Sequence, residues 1–237
     1  MIYAGILAGG QGTRMKYEDM PKQFLDLGGR PILIHTIEQF LLHPGIGEIV
    51  VALPRPWVSY SIDLVRRSFP SIERLHLIPG GDSRNESLMA IVSDIEQRHG
   101  LQEADVIISH DAVRPFVSAR ILQENMDAVQ QYGAVDTVIP AYDTIVASED
   151  GKLITHIPPR STMYQGQTPQ SFQIQRLKEL YAGLTEAERA SLTDAASIFV
   201  LRGQPVHLVQ GDPSNLKITT DYDLKVARSL LGSGSHD

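Results

Sequence analysis

Cysteine is absent from the chain. That excludes disulfide frameworks, cysteine-ligated zinc, iron–sulfur clusters and thiol nucleophiles, and it suits a reducing compartment, so a cytoplasmic location is expected. Long apolar runs are also missing; the runs present span a few residues before Gly, His or a charge interrupts them. Neither a membrane span nor a secretory leader is therefore expected, and a membrane is not an expected partner. Positive charge is in deficit. Twenty-one Lys and Arg against 28 Asp and Glu leave a net charge of −7 over 237 residues. No global basic field is available to attract nucleic acid, so a polyanionic ligand would have to be held by a local group of cations. The eight histidines are scattered without metal-ligand spacing. A chain of this length can bury a sizeable core without staples.

What is present is an alternation of strand-like and helix-like runs. Strands are expected at Ile2–Ala8, Glu48–Leu53, Leu75–Ile78, Val106–Ser109 and Ala134–Pro140. Helices are expected at Ile32–Leu42, Ser59–Ser68, Asn85–Arg98 and Ser118–Tyr132 between them. This predicts an α/β domain with a single Rossmann-like, mostly parallel sheet flanked by helices. The rhythm breaks at Thr144–Ala147 and Leu153–Ile157, which flank Glu149-Asp150-Gly151 and read as a protruding β-hairpin arm, a natural site for dimer contacts. Helices resume at Ile174–Tyr181 and after Thr185, whose spacing to Glu188 is that of a capping box. A strand at Val206–Gln210 and a helix at Asp221–Leu231 close the chain. The expectation is one domain over residues 1–231, with an arm at about 141–165 and a flexible tail at 232–237.

Leu7-Ala8-Gly9-Gly10-Gln11-Gly12-Thr13-Arg14 follows the first strand directly. Glycines there let backbone N–H groups approach an anion closely. The third glycine of a dinucleotide fingerprint is missing, and no Gly-Lys-Ser/Thr follows as in a Walker loop. Arg14 and then Pro21-Lys22-Gln23-Phe24 follow instead. Two cations flanking a glycine turn can grip a triphosphate from two sides, Arg as a bidentate fork and Lys as a point charge. An ordinary turn with two solvated cations is the other reading.

The stretch A-G-G-x-G-x-R-M…P-K-Q-F resembles the signature of sugar-nucleotide and polyol-phosphate nucleotidyltransferases. More narrowly, it is similar to the cytidylyltransferases that act on 2-C-methyl-erythritol 4-phosphate and on ribitol 5-phosphate. Four later segments fit the same family in the same order. Gly80-Gly81-Asp82-Ser83-Arg84-Asn85-Glu86-Ser87, read alone, is a capped helix start suited to a polar ligand. The resemblance makes it the cytosine and ribose site, through Gly81, Arg84 and Ser87. His110-Asp111-Ala112-Val113-Arg114-Pro115 stands at a strand's carboxyl end, where an Asp can meet Mg²⁺ or a ribose hydroxyl and an Arg a phosphate, or the two can simply pair. Pro159-Arg160 and Gln167-Thr168-Pro169-Gln170 close the arm; the latter, read alone, is a polar turn. Asn215-Leu216-Lys217-Ile218-Thr219 offers a lysine that is either phosphate-facing or solvated.

The resemblance thus implies a CTP site from Leu7, Ala8, Gly9, Gly10, Gly12, Thr13, Arg14, Lys22, Gly81, Arg84, Ser87 and Asp111. It implies acceptor contacts from Arg114, Thr144, Arg160, Thr168 and Lys217, and catalysis by Arg14, Lys22 and Lys217. A divalent cation such as Mg²⁺ is the implied cofactor, with Asp111 as its candidate ligand, and a homodimer through the arm is the implied assembly. Two details lean toward the ribitol branch. Val146 follows Asp143-Thr144-Ile145 where the methylerythritol enzymes typically carry lysine, and Tyr164 to Phe172 reads Y-Q-G-Q-T-P-Q-S-F. The expected reaction is transfer of cytidylyl from CTP to D-ribitol 5-phosphate, giving CDP-ribitol, a precursor of teichoic-acid-type polymers, and pyrophosphate. The alternative acceptor is 2-C-methyl-D-erythritol 4-phosphate, of isoprenoid synthesis. An NAD-dependent reductase fits less well, because Ala52-Leu53-Pro54 places no acidic residue after the second strand. A nucleotide-sensing domain without activity fits less well too, since every expected cation is present.

Overall fold

The computed structural model describes residues 1–9 and 20–233. Apolar runs become strands, and amphipathic runs become helices that cover them. In chain order these are β1 (Ile2–Leu7), the small hairpin β2 (Asp26–Leu27) and β3 (Arg30–Pro31), α1 (Ile32–Leu42), β4 (Glu48–Leu53), α2 (Val58–Ser68), β5 (Leu75–Pro79), α3 (Arg84–His99), β6 (Val106–Asp111), α4 (Ala119–Tyr132) and β7 (Ala134–Pro140). After the arm come β8 (Tyr164–Gln173), α5 (Ile174–Ala182), α6 (Glu186–Ser191), α7 (Ala196–Leu201), β9 (His207–Gln210) and α8 (Asp221–Ser233).

Among the described residues seven strands form one sheet in the order β5-β4-β1-β6-β8-β7-β9. The pairs β1–β4, β1–β6, β4–β5 and β7–β9 are parallel; β8 runs antiparallel to both β6 and β7. The expected mostly parallel sheet is what forms. From β1 the chain builds outward to β4 and β5, then returns to place β6 on the other side. The order therefore reverses between β1 and β6, where Leu7 stands level with Asp111. Such a reversal opens a crevice at the carboxyl ends of the strands.

Both faces of the sheet are covered. Leu33, Ile37 and Phe40 of α1 pack with Ile121, Leu122 and Met126 of α4 on one face, as period-3.6 placement of apolar residues requires. Leu88, Ile91, Val92 and Ile95 of α3 pack with Leu177 and Phe199 on the other. A third cluster, Leu25, Leu27, Ile32, Val113, Ile218, Leu224 and Ala227, fastens the small hairpin and α8 beside the crevice. Truncating a fully buried aromatic such as Phe40 to Ala would cost about 3–5 kcal/mol.

Three local expectations change. Gln167-Thr168-Pro169-Gln170 is not a turn: it lies inside β8, in the middle of the sheet, and all four residues are buried or nearly so. Its polarity disguised it, yet its polar groups are paired. Ser109 Oγ donates to the Gln170 carbonyl at 3.0 Å, Thr137 Oγ1 donates to the Pro169 carbonyl at 2.6 Å, and Ser171 Oγ donates to Asn125 Oδ1 at 2.8 Å. Between β7 and β8, the two strands foreseen at Thr144–Ala147 and Leu153–Ile157 are reduced to a single bridge between Ala147 and His156. There the Asp150 carboxylate accepts the Lys152 and Leu153 amides at 2.8 and 2.9 Å, folding a side-chain-capped turn in place of a regular hairpin. Finally, α8 runs to Ser233, so positions 232 and 233 are helical.

Candidate active site

The crevice between β1 and β6 holds a cavity of about 300 Å³ lined by Leu7, Ala8, Gly9, Lys22, Gln23, Asp82, Ser83, Arg84, Ser87, Asp111, Ala112, Val113 and Lys217. Four of the five sequence segments singled out above contribute to this wall, although they come from opposite ends of the chain. Gly10, Gly12, Thr13 and Arg14 lie outside the described residues.

Each segment is held by a local device. Gln23 is buried and donates from Nε2 to the Ala8 carbonyl at 2.7 Å, tying the turn that carries Lys22 to the end of β1. The neighbouring Phe24 stacks on Trp57 with ring centroids 5.0 Å apart and meets the edge of Tyr60 at 5.2 Å. At the start of α3, Ser83 accepts the Glu86 amide at 3.1 Å, while the Glu86 carboxylate accepts the Ser83 and Asp82 amides. The capped helix start is thus real, and it points its first turn into the cavity. Ser87 Oγ accepts the Gly81 amide at 3.2 Å and donates to the Ser83 carbonyl at 2.9 Å. A Cβ at Gly81 would collide with Glu86, and one at Gly9 would come within 3.2 Å of Ser87 Oγ. Close approach of the walls therefore requires glycine at position 81, while at position 9 a side chain would press on the Ser87 hydroxyl.

Asp111, at the end of β6 and only 7% exposed, is the electrostatic centre. Lys217 Nζ lies 2.8 Å from its Oδ2, Arg84 Nε 3.3 Å from its Oδ1, and Arg114 Nε 3.7 Å from its Oδ2. Burial alone would raise this carboxyl's pKa. The charges of Arg84, Lys217 and Arg114 outweigh burial and hold it well below the usual carboxylate range. One anion thus gathers three cations, and Arg84 retains a buried Nη1 with no hydrogen-bond partner.

Behind Asp111 stands a layer of buried polar groups. Thr168 Oγ1 accepts the Asp111 amide at 3.1 Å and is hydrogen-bonded to His110 Nδ1 at 3.0 Å. His110 Nε2 faces the Arg114 carbonyl at 3.0 Å. Burial pushes the His110 ring down to about 4, so it is neutral near pH 7. Arg114 donates from Nη1 to the Asn215 carbonyl at 2.8 Å, and Asn215 Nδ2 donates to the Thr168 carbonyl at 2.8 Å and to Gln167 Oε1 at 3.1 Å. The loop that delivers Lys217 is thereby pinned to β8.

Of the residues expected at the site, Leu7, Ala8, Gly9, Lys22, Arg84, Ser87, Asp111 and Lys217 line the cavity together. Gly81 packs directly behind Ser87. Arg114 and Thr168 stand behind Asp111 and do not line the cavity. Thr144 and Arg160 lie exposed on the arm, where Arg160 Nη1 donates to the Tyr142 carbonyl at 3.0 Å. Sequence reasoning did not single out Gln23, His110 or Asn215. Their one signal was position inside motifs whose neighbours carried charge.

The donor set also bears on a metal ion. Among the described residues no three His, Asp or Glu side chains converge to hold one. Asp82 and Asp111 are the carboxylates in the cavity wall, and Asp111 is already shared by three cations. A cage for a resident ion does not fit here. A hard divalent ion coordinated chiefly by phosphate oxygens, with one carboxylate added, does.

Comparison with known proteins agrees with this geometry. The family model described as 2-C-methyl-D-erythritol 4-phosphate cytidylyltransferase (IspD) matches residues 2–233. A structure from Anaerococcus prevotii, titled 4-diphosphocytidyl-2C-methyl-D-erythritol synthase, superposes with a TM-score of 0.80 at 26% identity, covering 98% of this chain and 96% of its own. The 2-C-methyl-D-erythritol 4-phosphate cytidylyltransferase of Thermus thermophilus gives a TM-score of 0.71 at 29% identity, over 97% and 98%. That of Francisella tularensis gives 0.80 at 25%, over 96% and 98%. With nearly its whole length matched, and with Lys22, Arg84 and Lys217 converging on the crevice between β1 and β6, the chain belongs to the IspD family of cytidylyltransferases and is a nucleotidyltransferase enzyme.

Proposed function

We propose that this enzyme transfers the cytidylyl group of CTP to the phosphate of a short polyol phosphate, releasing pyrophosphate. The observation that carries the reading is the gathering of Lys217, Arg84 and Arg114 around Asp111, beside a cavity that Lys22, Arg84 and Lys217 line. An acceptor phosphate oxygen attacks the α-phosphorus of CTP, and pyrophosphate leaves in line. The nucleophile is already an anion, so no general base is needed. The obstacle is repulsion between a dianion and a nucleotide bearing about four negative charges, and positioned cations lower it. Lys22 and Lys217, with Arg14 from the glycine loop, neutralise the triphosphate and its leaving group. Gly81, Arg84 and Ser87 form the wall for the base and ribose. Asp111 sets the cations before substrate arrives. A divalent ion carried on the phosphates would add charge neutralisation there, with Asp111 its candidate ligand. Arg160 and Thr144, on the arm, meet the acceptor, which requires the arm to close over the site or a partner's arm to supply them; Arg114 and Thr168, expected beside them, are buried behind Asp111 and act on the acceptor only by holding that carboxylate.

A second copy of the chain is the proposed partner. The arm exposes Tyr142, Val146, Leu153, Ile154 and Ile157, with Leu153 at 71%, a set that a homodimer would cover. Sedimentation equilibrium of the native chain, against a variant carrying Leu153→Ser and Ile154→Ser, reads this directly.

For the acceptor, two observations favour different molecules. The family model and the solved relatives favour 2-C-methyl-D-erythritol 4-phosphate, the compound in their descriptions. Val146 after Thr144, and the Tyr164–Phe172 segment, favour D-ribitol 5-phosphate. Shape differences of a methyl branch and one carbon are worth only about 1–3 kcal/mol, so a few side chains decide between them. Pyrophosphate release from CTP, with ribitol 5-phosphate, ribulose 5-phosphate and methylerythritol phosphate side by side, separates the readings. Release with none of the three would end the transfer reading itself.

A further inference from the structure

We propose that His110 is a positioning residue for the transfer reaction: as the Nε2–H tautomer it orients the Thr168 hydroxyl, which holds the Asp111 backbone and so sets the carboxylate on which Lys217 and Arg84 are placed. This rests on the transfer reading given above.

The hydrogen-bond directions leave no choice of tautomer. His110 Nε2 lies 3.0 Å from the Arg114 carbonyl, which can only accept, so Nε2 carries the proton and Nδ1 is bare. Thr168 Oγ1 lies 3.0 Å from that bare nitrogen, so the hydroxyl donates to it. The same oxygen accepts the Asp111 amide at 3.1 Å. Donation therefore runs one way, from Asp111 N–H to Thr168, from Thr168 O–H to His110, and from His110 to the Arg114 carbonyl. The loop closes where the Arg114 amide donates to the Asp111 carbonyl at 3.1 Å. Bonds aligned in one direction polarise one another, and in a dry site each is costly to leave unmade. The opposite tautomer would aim two donors at Thr168 Oγ1 and turn the Nε2 lone pair onto a carbonyl oxygen. His110 is fully buried with its ring 5.2 Å from that of Phe40, so water cannot replace any of these partners. No ligand needs to touch His110 for it to matter. Its effect passes through Thr168 to the residue that gathers the cations.

The test combines a spectroscopic and a kinetic readout. Nitrogen-15 spectra of the native imidazoles should show one exchange-protected histidine in the Nε2–H form. His110→Phe keeps the ring packing but loses both bonds, and Thr168→Val loses the hydroxyl. Each should lower kcat about 10- to 100-fold, the scale of a small misplacement of catalytic groups. The double variant should fall no further, because both act through one chain. His110→Asn, which returns an acceptor near Nδ1, should recover most of kcat. Effects that multiply, a native kcat in His110→Phe, or an Nδ1–H spectrum would each overturn the proposal. Should His110→Phe not fold, Thr168→Val against His110→Asn carries the same comparison. Should the native enzyme transfer to no polyol phosphate, the transfer reading fails separately, and the same variants are compared by calorimetric CTP affinity.

Discussion

Asp111 is buried and Asp136 half-buried within the same sheet, yet their carboxyls are pushed in opposite directions. Asp111 sits among Arg84, Lys217 and Arg114, whose charges overcome the cost of burial. Asp136, on β7, has burial as its leading influence, and the nearby charge of Asp194 adds to it; its pKa rises from 3.8 to about 6. Its principal partner is neutral: Gln170 Nε2 donates to Asp136 Oδ1 at 3.0 Å and to Asp194 Oδ2 at 2.9 Å. Burial is common to both, so neighbouring charge decides. The cations are spent at one end of the crevice, around the carboxylate nearest the proposed phosphates.

Removing a cation from the Asp111 side should have the largest effect. Lys217→Ala should lower kcat/KM by about 10²–10³-fold, the scale of losing one preorganised electrostatic contact. Pyrophosphate release measures it, and unchanged turnover would place the leaving-group charge elsewhere. Removing the anion instead tests the same centre through stability. Asp111→Asn should cost about 3 kcal/mol near neutral pH by leaving partly buried cations unopposed. Because the native carboxyl is held below its ordinary value, its stabilisation is present above that value and disappears as pH falls through the acid range. Denaturant titrations of native and variant chains should therefore converge at low pH.

Asp136→Asn should do the reverse. A folded-state pKa raised to about 6 means that ionisation opposes folding; native stability falls as pH rises from about 3.8 to about 6. The amide variant escapes this, gaining up to about 3 kcal/mol over the native chain above pH 6 and nothing below about pH 4. A variant that is less stable at pH 8 would break the contrast between the two aspartates. The smallest effect belongs to the arm. Arg160→Ala should raise the acceptor KM about tenfold, one lost phosphate contact, while thermal stability moves by less than about 0.5 kcal/mol. An unchanged acceptor KM would remove the arm from the acceptor site.

Legibility in the sequence differed across the molecule in the same way. The half of the sheet made of β5, β4, β1 and β6 was readable, because runs such as Glu48–Leu53 are apolar and bounded by turns. The helix Ile32–Leu42 and the strand Ala134–Pro140 have the bounds that periodicity assigned. In the other half β7 and β9 were readable too, and β8 was not. β8 carries Gln167, Thr168, Gln170 and Ser171 into a central position, and such residues resemble a loop until partners like Asn125, Thr137 and Ser109 are brought to them. The site divides similarly. Lys22, Arg84, Asp111 and Lys217 stood out as charges within recognisable segments. Gln23, His110 and Asn215 did not, since a buried polar side chain earns its role only from partners distant in the chain.

The order of residues by itself determined which apolar and amphipathic segments become strands and helices, and which cations exist to meet a polyanion. Those are local properties, set by side-chain pattern and charge. Only the tertiary structure decided that Leu7 stands level with Asp111, that a lysine 106 positions further along closes onto that carboxylate, and that β8 runs against its neighbours with its polar groups satisfied. Such facts depend on strand order and on pairing between distant residues, and hydrogen bonds of that kind have energies that exist only once the backbone has brought both partners out of water.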